Sequence, residues 1–265
     1  MLTNRSFFDL DNVAHRELFP DDHPVWEPLK SLKAYMDGYA YPPLPAGLVT
    51  GAPLAVTCVL HEGVLLSGEG IAIEFGDATK GKLKVRQEGQ ALDGASVVMA
   101  GAVLMDNRIA LGQGVLVETG AMIKGPAIIG DRTEIRQGAY LRGYCLVGRR
   151  CVVGHVTEAK HSILLDDAKA GHFAYLGDSI LGNGVNLGAG TKLANLRFTP
   201  GDVPAKTPNG LVSTGLKKLG AILADHVQTG CNSVTNPGTF LGRKSVLMPN
   251  TTAPSGFHAA SSLIR

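Results

Sequence analysis

Residues 99–165 read MAGAVLMDNRIALGQGVLVETGAMIKGPAIIGDRTEIRQGAYLRGYCLVGRRCVVGHVTEAKHSILL. An aliphatic residue recurs here every six positions: Met99, Met105, Leu111, Val117, Ile123, Ile129, Ile135, Leu141, Val147, Val153, Ala159 and Leu165. Two positions before them runs a second, mostly small or β-branched series: Val97, Val103, Ile109, Val115, Ala121, Ala127, Thr133, Ala139, Cys145, Cys151 and Thr157. A six-residue step fits neither the helical period nor the alternation of a half-exposed strand, but it does fit the hexapeptide repeat of a parallel β-helix. Each hexad is one flat face and three faces close one triangular coil, so residues eighteen apart stack. The fold class expected is all-β, a left-handed parallel β-helix of hexapeptide repeats with a small N-terminal helix-and-strand cap.

Size and charge narrow the class further. The 265 residues can bury a large core, and the repeat favours one solenoid with an added piece. Twenty-five basic against 23 acidic residues give a net charge of +2 with no polybasic block, so nucleic acid is not an expected partner. No apolar run reaches the roughly 18–20 residues that span a bilayer, and the N-terminus carries acids where a signal peptide has its apolar stretch. No membrane partner is expected, and the expected location is cytoplasmic. Cys58, Cys145, Cys151 and Cys231 include no C-x-x-C pair and read as buried structural thiols. Many of the 34 glycines follow the aliphatic residue of a hexad, as at Gly112, Gly130, Gly148, Gly154, Gly182 and Gly188, where tight corners call for a permissive backbone.

Along the chain, residues 1–92 read as the lead-in and cap. Trp26, Leu29, Leu32 and Met36 share one side of a helix, and residues 42–92 hold short apolar runs that read as strands covering the first coil. The solenoid is expected over residues 93–255. After Leu165 the rhythm changes: GHFAY and LGDSI read as two five-residue turns before Leu181 and Leu187 restore the step. Residues 195–218 (NLRFTPGDVPAKTPNGLVSTGLKK) interrupt the repeat as a loop expelled from the coil, of the kind that reaches a ligand or a neighbouring subunit.

Chemistry-bearing residues concentrate where the rhythm changes. Arg142 and Lys160 are eighteen apart, so they should stack as two cations on adjacent coils, a guanidinium fork beside an ammonium that suits a phosphate monoester. Ordinary solvated surface charge, with Glu158 as partner, is the plainer reading. His172 lies in the irregular stretch and has the intrinsic acidity of a base near neutral pH. His155, His161 and His172 could suggest zinc, but their gaps of six and eleven, with no matching upstream histidine, do not fit a three-histidine site. His155 and His161 therefore read as surface residues, and no metal is expected.

Residues 154–197, with the pattern GHxxYLGDSxxGxxVNxGAGT, followed by N-L-R-F and T-G-x-K-K-L-G-A-I, resemble the acetyltransferase half of bifunctional sugar-1-phosphate nucleotidylyltransferase/hexosamine-1-phosphate acetyltransferases, most like the archaeal type. The resemblance implies His172 as catalytic base. It implies Arg142, Lys160 and Tyr175 on the sugar phosphate, and Glu158 and Asn186 on the sugar hydroxyls and amine. Ala189 falls near the acyl thioester, and Asn195 and Lys218 around the same site. Also implied are acetyl-CoA as co-substrate, an amino sugar phosphate as acceptor and a homotrimer. Leu196 stands where bacterial members carry Tyr, and no G-x-G-T-R-M-type loop lies near the start, so nucleotidyl transfer is not expected of this chain. The rival reading is a non-catalytic hexapeptide protein that binds a sugar phosphate or assists assembly.

Overall fold

The computed structural model describes residues 2–265. Three long sheets form the faces of a prism. The first runs from Ser96–Val98 to Leu263–Ile264, the second from Val103–Leu104 to Thr252–Ala253 and the third from Ile109–Leu111 to Gly256–His258. Strands pair in parallel with the strand one coil away, as in Ile123↔Leu141, Ala127↔Cys145 and Ile135↔Val153. Eighteen positions separate each pair, as the hexapeptide period requires. The architecture is a parallel β-helix whose interior is filled by columns such as Ile123, Leu141, Ala159, Leu176 and Leu193.

The phase of the repeat differs from the sequence reading at both ends of the quoted stretch. Val98 and Leu104, not Met99 and Met105, pair with Val117 and Ile123 and enter the core, while Met105 is 43% exposed. The corner between them and the next face is one residue longer, turned by Asp106 accepting a hydrogen bond from the Arg108 amide at 2.7 Å. At the other end Leu164 pairs with Val147 and points inward, and Leu165 packs outward instead. Here His161 alone spans the corner that Gly143 and Tyr144 span one coil below. Asp178 repeats the short corner on the next coil, whereas GHFAY keeps a six-residue step from Ala170 to Leu176.

The corner glycines also act differently from expectation. Gly130 has ordinary backbone angles, but an added Cβ would lie 2.6 Å from the Gly148 carbonyl carbon of the coil above. Close approach, not conformational freedom, demands glycine there. Left-handed corner positions are held by residues such as Arg132, Tyr144, His161 and Asp178.

The added pieces pack on two faces. The hairpin Cys58–His61/Val64–Ser67 pairs antiparallel with Ser96–Val98 and covers the edge at the solenoid's start. A meander of Ile71–Glu74, Lys84–Gln87 and Gln90–Ala91 lies on the first face, where Val85 and Ala78 meet Val97 and Leu116. The helix Glu27–Asp37 buries Pro28, Leu29, Leu32 and Met36 against the outward side of the third face, a row that includes Ile128, Leu146, Ile163, Ile180, Ile222 and Phe240. The helical lead-in thus flanks the coils rather than capping their end. The loop 195–218 joins the same cluster: Val203 and Ala205 are buried in it, and the hairpin Ala205–Thr207/Gly210–Val212 follows. Cys145 and Cys151 are buried in the core, as expected, and burial pushes the Cys145 thiol up to about 12. Cys231 is exposed, contrary to its reading as a buried thiol. Among the described residues no helix is long and apolar enough to cross a membrane.

Candidate active site

The second face carries the expected cation stack. Leu141↔Ala159 pairing sets Arg142 beside Lys160, and Lys124↔Arg142 adds a third cation that the sequence reading missed. The neighbouring column runs Tyr140, Glu158, Tyr175 and Lys192. Two of the cations have carboxylate partners. Arg142 Nη1 donates to Glu158 Oε1 at 2.7 Å, which raises the guanidinium further above its ordinary range, and Lys160 Nζ lies 3.6 Å from Asp178 Oδ2. Arg142 and Glu158 thus form an ion pair across adjacent coils.

Asp178 is the centre of the polar network. His161 Nδ1–H donates to Asp178 Oδ1 at 2.9 Å, and Asn195 Nδ2 donates to Oδ2. Burial works to raise the Asp178 carboxyl, but the His161 and Asn195 hydrogen bonds and the Lys160 charge outweigh it and hold the group below the usual carboxylate range. His161 is buried, with 8% of its surface exposed, so its reading as a surface residue is corrected. The cause is the short corner: with one residue in place of two, the side chain folds against the adjacent coil rather than into solvent. The two five-residue steps of the inner series were the signal that could have found both residues. Gly177 completes the arrangement, because a Cβ there would come within 2.7 Å of Tyr175 Oη and 2.5 Å of Asn195 Nδ2. Tyr175 is raised above its ordinary range, first by burial and then by Glu158.

The loop brings its own residues in. The Leu219 amide donates to the Asn195 carbonyl at 3.0 Å, which closes the loop at its base and places Lys218 beside this network. The resulting pocket, about 560 Å³, is lined by Arg142, Lys160, His161, Asp178 and Lys218, and also by Lys30 and Lys33 of the helix and Lys217 of the loop. Six cations and one carboxylate line it, a charge balance that suits an anion. A larger cavity, about 660 Å³, lies under the meander, but its Arg149 and Arg150 are already paired with Asp166 and Asp167 at 2.6 and 2.8 Å.

Three of the expected residues lie elsewhere. His172 ends the strand Lys169–His172 on the first face, exposed, opposite His155 and with its ring centroid 6.3 Å from that of Phe173. Its carbonyl accepts the Gly190 amide at 3.0 Å, so Ala189 stands at the same corner one coil on. Asn186 sits on the first face between Lys169 and Gln228. Within one chain the structure joins Arg142, Glu158, Lys160, Tyr175, Asn195 and Lys218, keeps His172 and Ala189 at the other edge of the second face, and leaves Asn186 on the first face. Phe173 and Val156 are 54% and 51% exposed along that edge. His155 donates from Nδ1 to the Gln137 carbonyl at this corner, whereas His161 is at the opposite one. Among the described residues no three His, Cys, Asp or Glu side chains are grouped to hold a metal ion.

A family profile described as the GMPPB C-terminal domain matches residues 123–254. The bifunctional sugar-1-phosphate nucleotidylyltransferase/acetyltransferase of Sulfurisphaera tokodaii is 34% identical over 151 residues, covering 50% of this chain and 38% of that protein. The bifunctional protein GlmU of Methanocaldococcus jannaschii is 38% identical over 104 residues, 39% of this chain and 25% of the relative. A GlmU of Synechococcus is 29% identical over 196 residues, 74% of this chain and 37% of the relative. The UDP-N-acetylglucosamine acyltransferase structure of Francisella novicida aligns with a TM-score of 0.37 at 13% identity, over 63% of this chain and 65% of that one. The chain thus spans well under half the length of the curated relatives it matches. Its β-helix is similar to part of the bifunctional sugar-1-phosphate nucleotidylyltransferase/acetyltransferases.

Proposed function

We propose that this protein is an acetyl-CoA-dependent N-acetyltransferase for an amino sugar phosphate of the hexosamine-1-phosphate type, with no nucleotidyl transfer of its own. The observation that carries the reading is the pocket on the second face, where Arg142, Lys160 and Lys218 converge and where Asn195 is bonded to Asp178 of the lining. A phosphate entering there exchanges with Glu158 for the Arg142 fork and meets Lys160 and Lys218. His172 takes the proton from the sugar amine as its nitrogen attacks the thioester carbonyl, the carbon–sulfur bond breaks, and the thiolate leaves to be protonated as coenzyme A. The amides near Ala189 stabilise the oxyanion of the tetrahedral intermediate. Since His172 and the phosphate pocket lie at opposite edges of one face, the reading includes a homotrimer in which a neighbouring subunit brings the two groups to one acceptor.

The position of His172, exposed and outside the pocket, favours as second reading a non-catalytic sugar-phosphate-binding or assembly protein. Thiol release from acetyl-CoA with glucosamine-1-phosphate or galactosamine-1-phosphate separates the two. Acceptor-dependent release should fall by about 10²–10⁴-fold in His172→Ala, the usual worth of a general base. Arg142→Ala should raise KM with a smaller effect on kcat. No release by the folded wild-type protein would support the binding reading.

A further inference from the structure

His161 lines the pocket of Arg142 and Lys160 but has no part in the acetyl transfer. Its place is fixed by the solenoid itself. The single-residue corner holds its backbone in the left-handed region at φ 47°, and its amide donates to the Gly143 carbonyl of the coil below at 3.1 Å. The Nδ1–H bond to Asp178 on the next coil sets the orientation of the ring, and the Tyr144 ring stands edge-on to it, 6.4 Å between centroids. Nε2 has no hydrogen-bond partner among the described residues and is not one of the enclosed unpaired atoms, which are Asn4 Oδ1 and Thr235 Oγ1. It therefore opens on the pocket that the ring lines.

The tautomer decides what Nε2 can do. Asp178 is held below the usual carboxylate range, so it accepts and Nδ1 carries the proton. A neutral ring then turns a lone pair toward the pocket, which repels the oxygen of an anion. A protonated ring turns an N–H there instead, which makes a charge-assisted hydrogen bond while Asp178 stabilises the imidazolium from behind. The other charges around the ring are Lys160, its neighbour in the chain, Arg142 on the coil below, Lys217 and Lys218 of the loop, and Lys30 and Lys33 of the helix, the last 5.5 Å from the Tyr144 ring centroid. These cations oppose a further positive charge until an anion offsets them.

We infer that His161 takes up a proton as a phosphate monoester enters the pocket. Nε2 gains the proton from solvent and donates it in a hydrogen bond to a phosphate oxygen, while Nδ1–H stays on Asp178. His161 is thereby a further binding residue for the acceptor phosphate, and affinity for the dianion rises as pH falls through the range in which the ring titrates. The inference rests on the reading of the pocket as the acceptor-phosphate site.

Binding of glucosamine-1-phosphate at about pH 7.5, where a phosphate monoester with its second pKa near about 6 is a dianion, tests it. Calorimetry in two buffers of different ionisation heat should show proton uptake by wild type and by a control at the opposite corner, His155→Gln, and none by His161→Gln, which should also bind more weakly. The ring resonance of His161, assigned by its loss in His161→Gln, should titrate at least about one pH unit higher with the ligand than without it, the equivalent of about tenfold in affinity. Binding to wild type without proton uptake would overturn the inference even if His161→Gln fails to fold, and would leave the acceptor-site reading standing. Uptake that persists in a folded His161→Gln, or a His161 midpoint that the ligand leaves in place or lowers, would overturn it as well. Failure of wild type to bind glucosamine-1-phosphate, or binding unchanged in Arg142→Ala, would remove the acceptor-site reading and this inference with it.

Discussion

Asp178 shows what a single side chain can organise when a corner loses one residue. It accepts from His161 and Asn195, faces Lys160 and is 6% exposed. Replacing it leaves buried donors without an acceptor, which costs about 1–3 kcal/mol. Because its folded acidity is stronger than that of the unfolded chain, it contributes stability above the ordinary carboxylate range and loses that contribution as pH falls through the folded value. Asp178→Asn should therefore lower the urea midpoint at pH 7, and its gap from wild type should narrow below about pH 4, where an ordinary Asp takes its proton. A gap that stays constant down to pH 2 would show that the carboxylate charge is not what the network uses. His161 and Asp178 were visible in the sequence only as members of a motif. Their meeting depends on two short corners: the one at Asp178 lies in LGDSI, as the sequence reading has it, but the one at His161 is displaced there to GHFAY because Leu165 is taken for Leu164.

At the scale of the element, the repeat is a stack of backbones in near contact. Gly130 cannot carry a Cβ without meeting the Gly148 carbonyl, whereas a Cβ on Gly171 meets nothing within 4 Å. Overpacking of a closely fitted interior costs about 1–3 kcal/mol. Gly130→Ala should therefore lower thermal stability markedly, while Gly171→Ala should shift it by no more than about 0.5 kcal/mol, as surface changes do. Differential scanning of the two variants side by side checks the argument, and equal effects would contradict it. The glycines after each aliphatic residue were legible as a pattern. Their reason was not, since close approach involves a coil eighteen residues away and backbone angles involve only the glycine itself.

For the molecule as a whole, the N-terminal segment decides which face remains available. Helix Glu27–Asp37 covers the outward aliphatic row of the third face, with Trp26 and Phe240 ring centroids 5.8 Å apart, and sets Lys30 and Lys33 at the pocket. Further anchors are Arg243 Nε to the Phe7 carbonyl at 3.0 Å and Asn183 Nδ2 to the Asp9 carbonyl at 2.8 Å. Leu32, wholly buried, is the point at which a charge would detach the helix. Leu32→Asp should make residues 2–41 the first site of limited proteolysis and weaken phosphate binding, while the far-ultraviolet signal of the β-helix persists. A variant as protease-resistant as wild type would mean that the packing on the third face contributes little.

The sequence by itself determined the solenoid, because a six-residue period over eleven steps has one architectural solution, and it determined the cation stack, because eighteen residues make one coil. It also marked helix Glu27–Asp37 through the spacing of Leu29, Leu32 and Met36. Only the tertiary structure decided the phase of the coils, which depends on corner lengths at Asp106, His161 and Asp178 that tolerate one residue more or less. Only it could place Lys33, Lys217 and Arg142 around one pocket, since an apolar stripe specifies that a helix is buried without specifying the face that buries it.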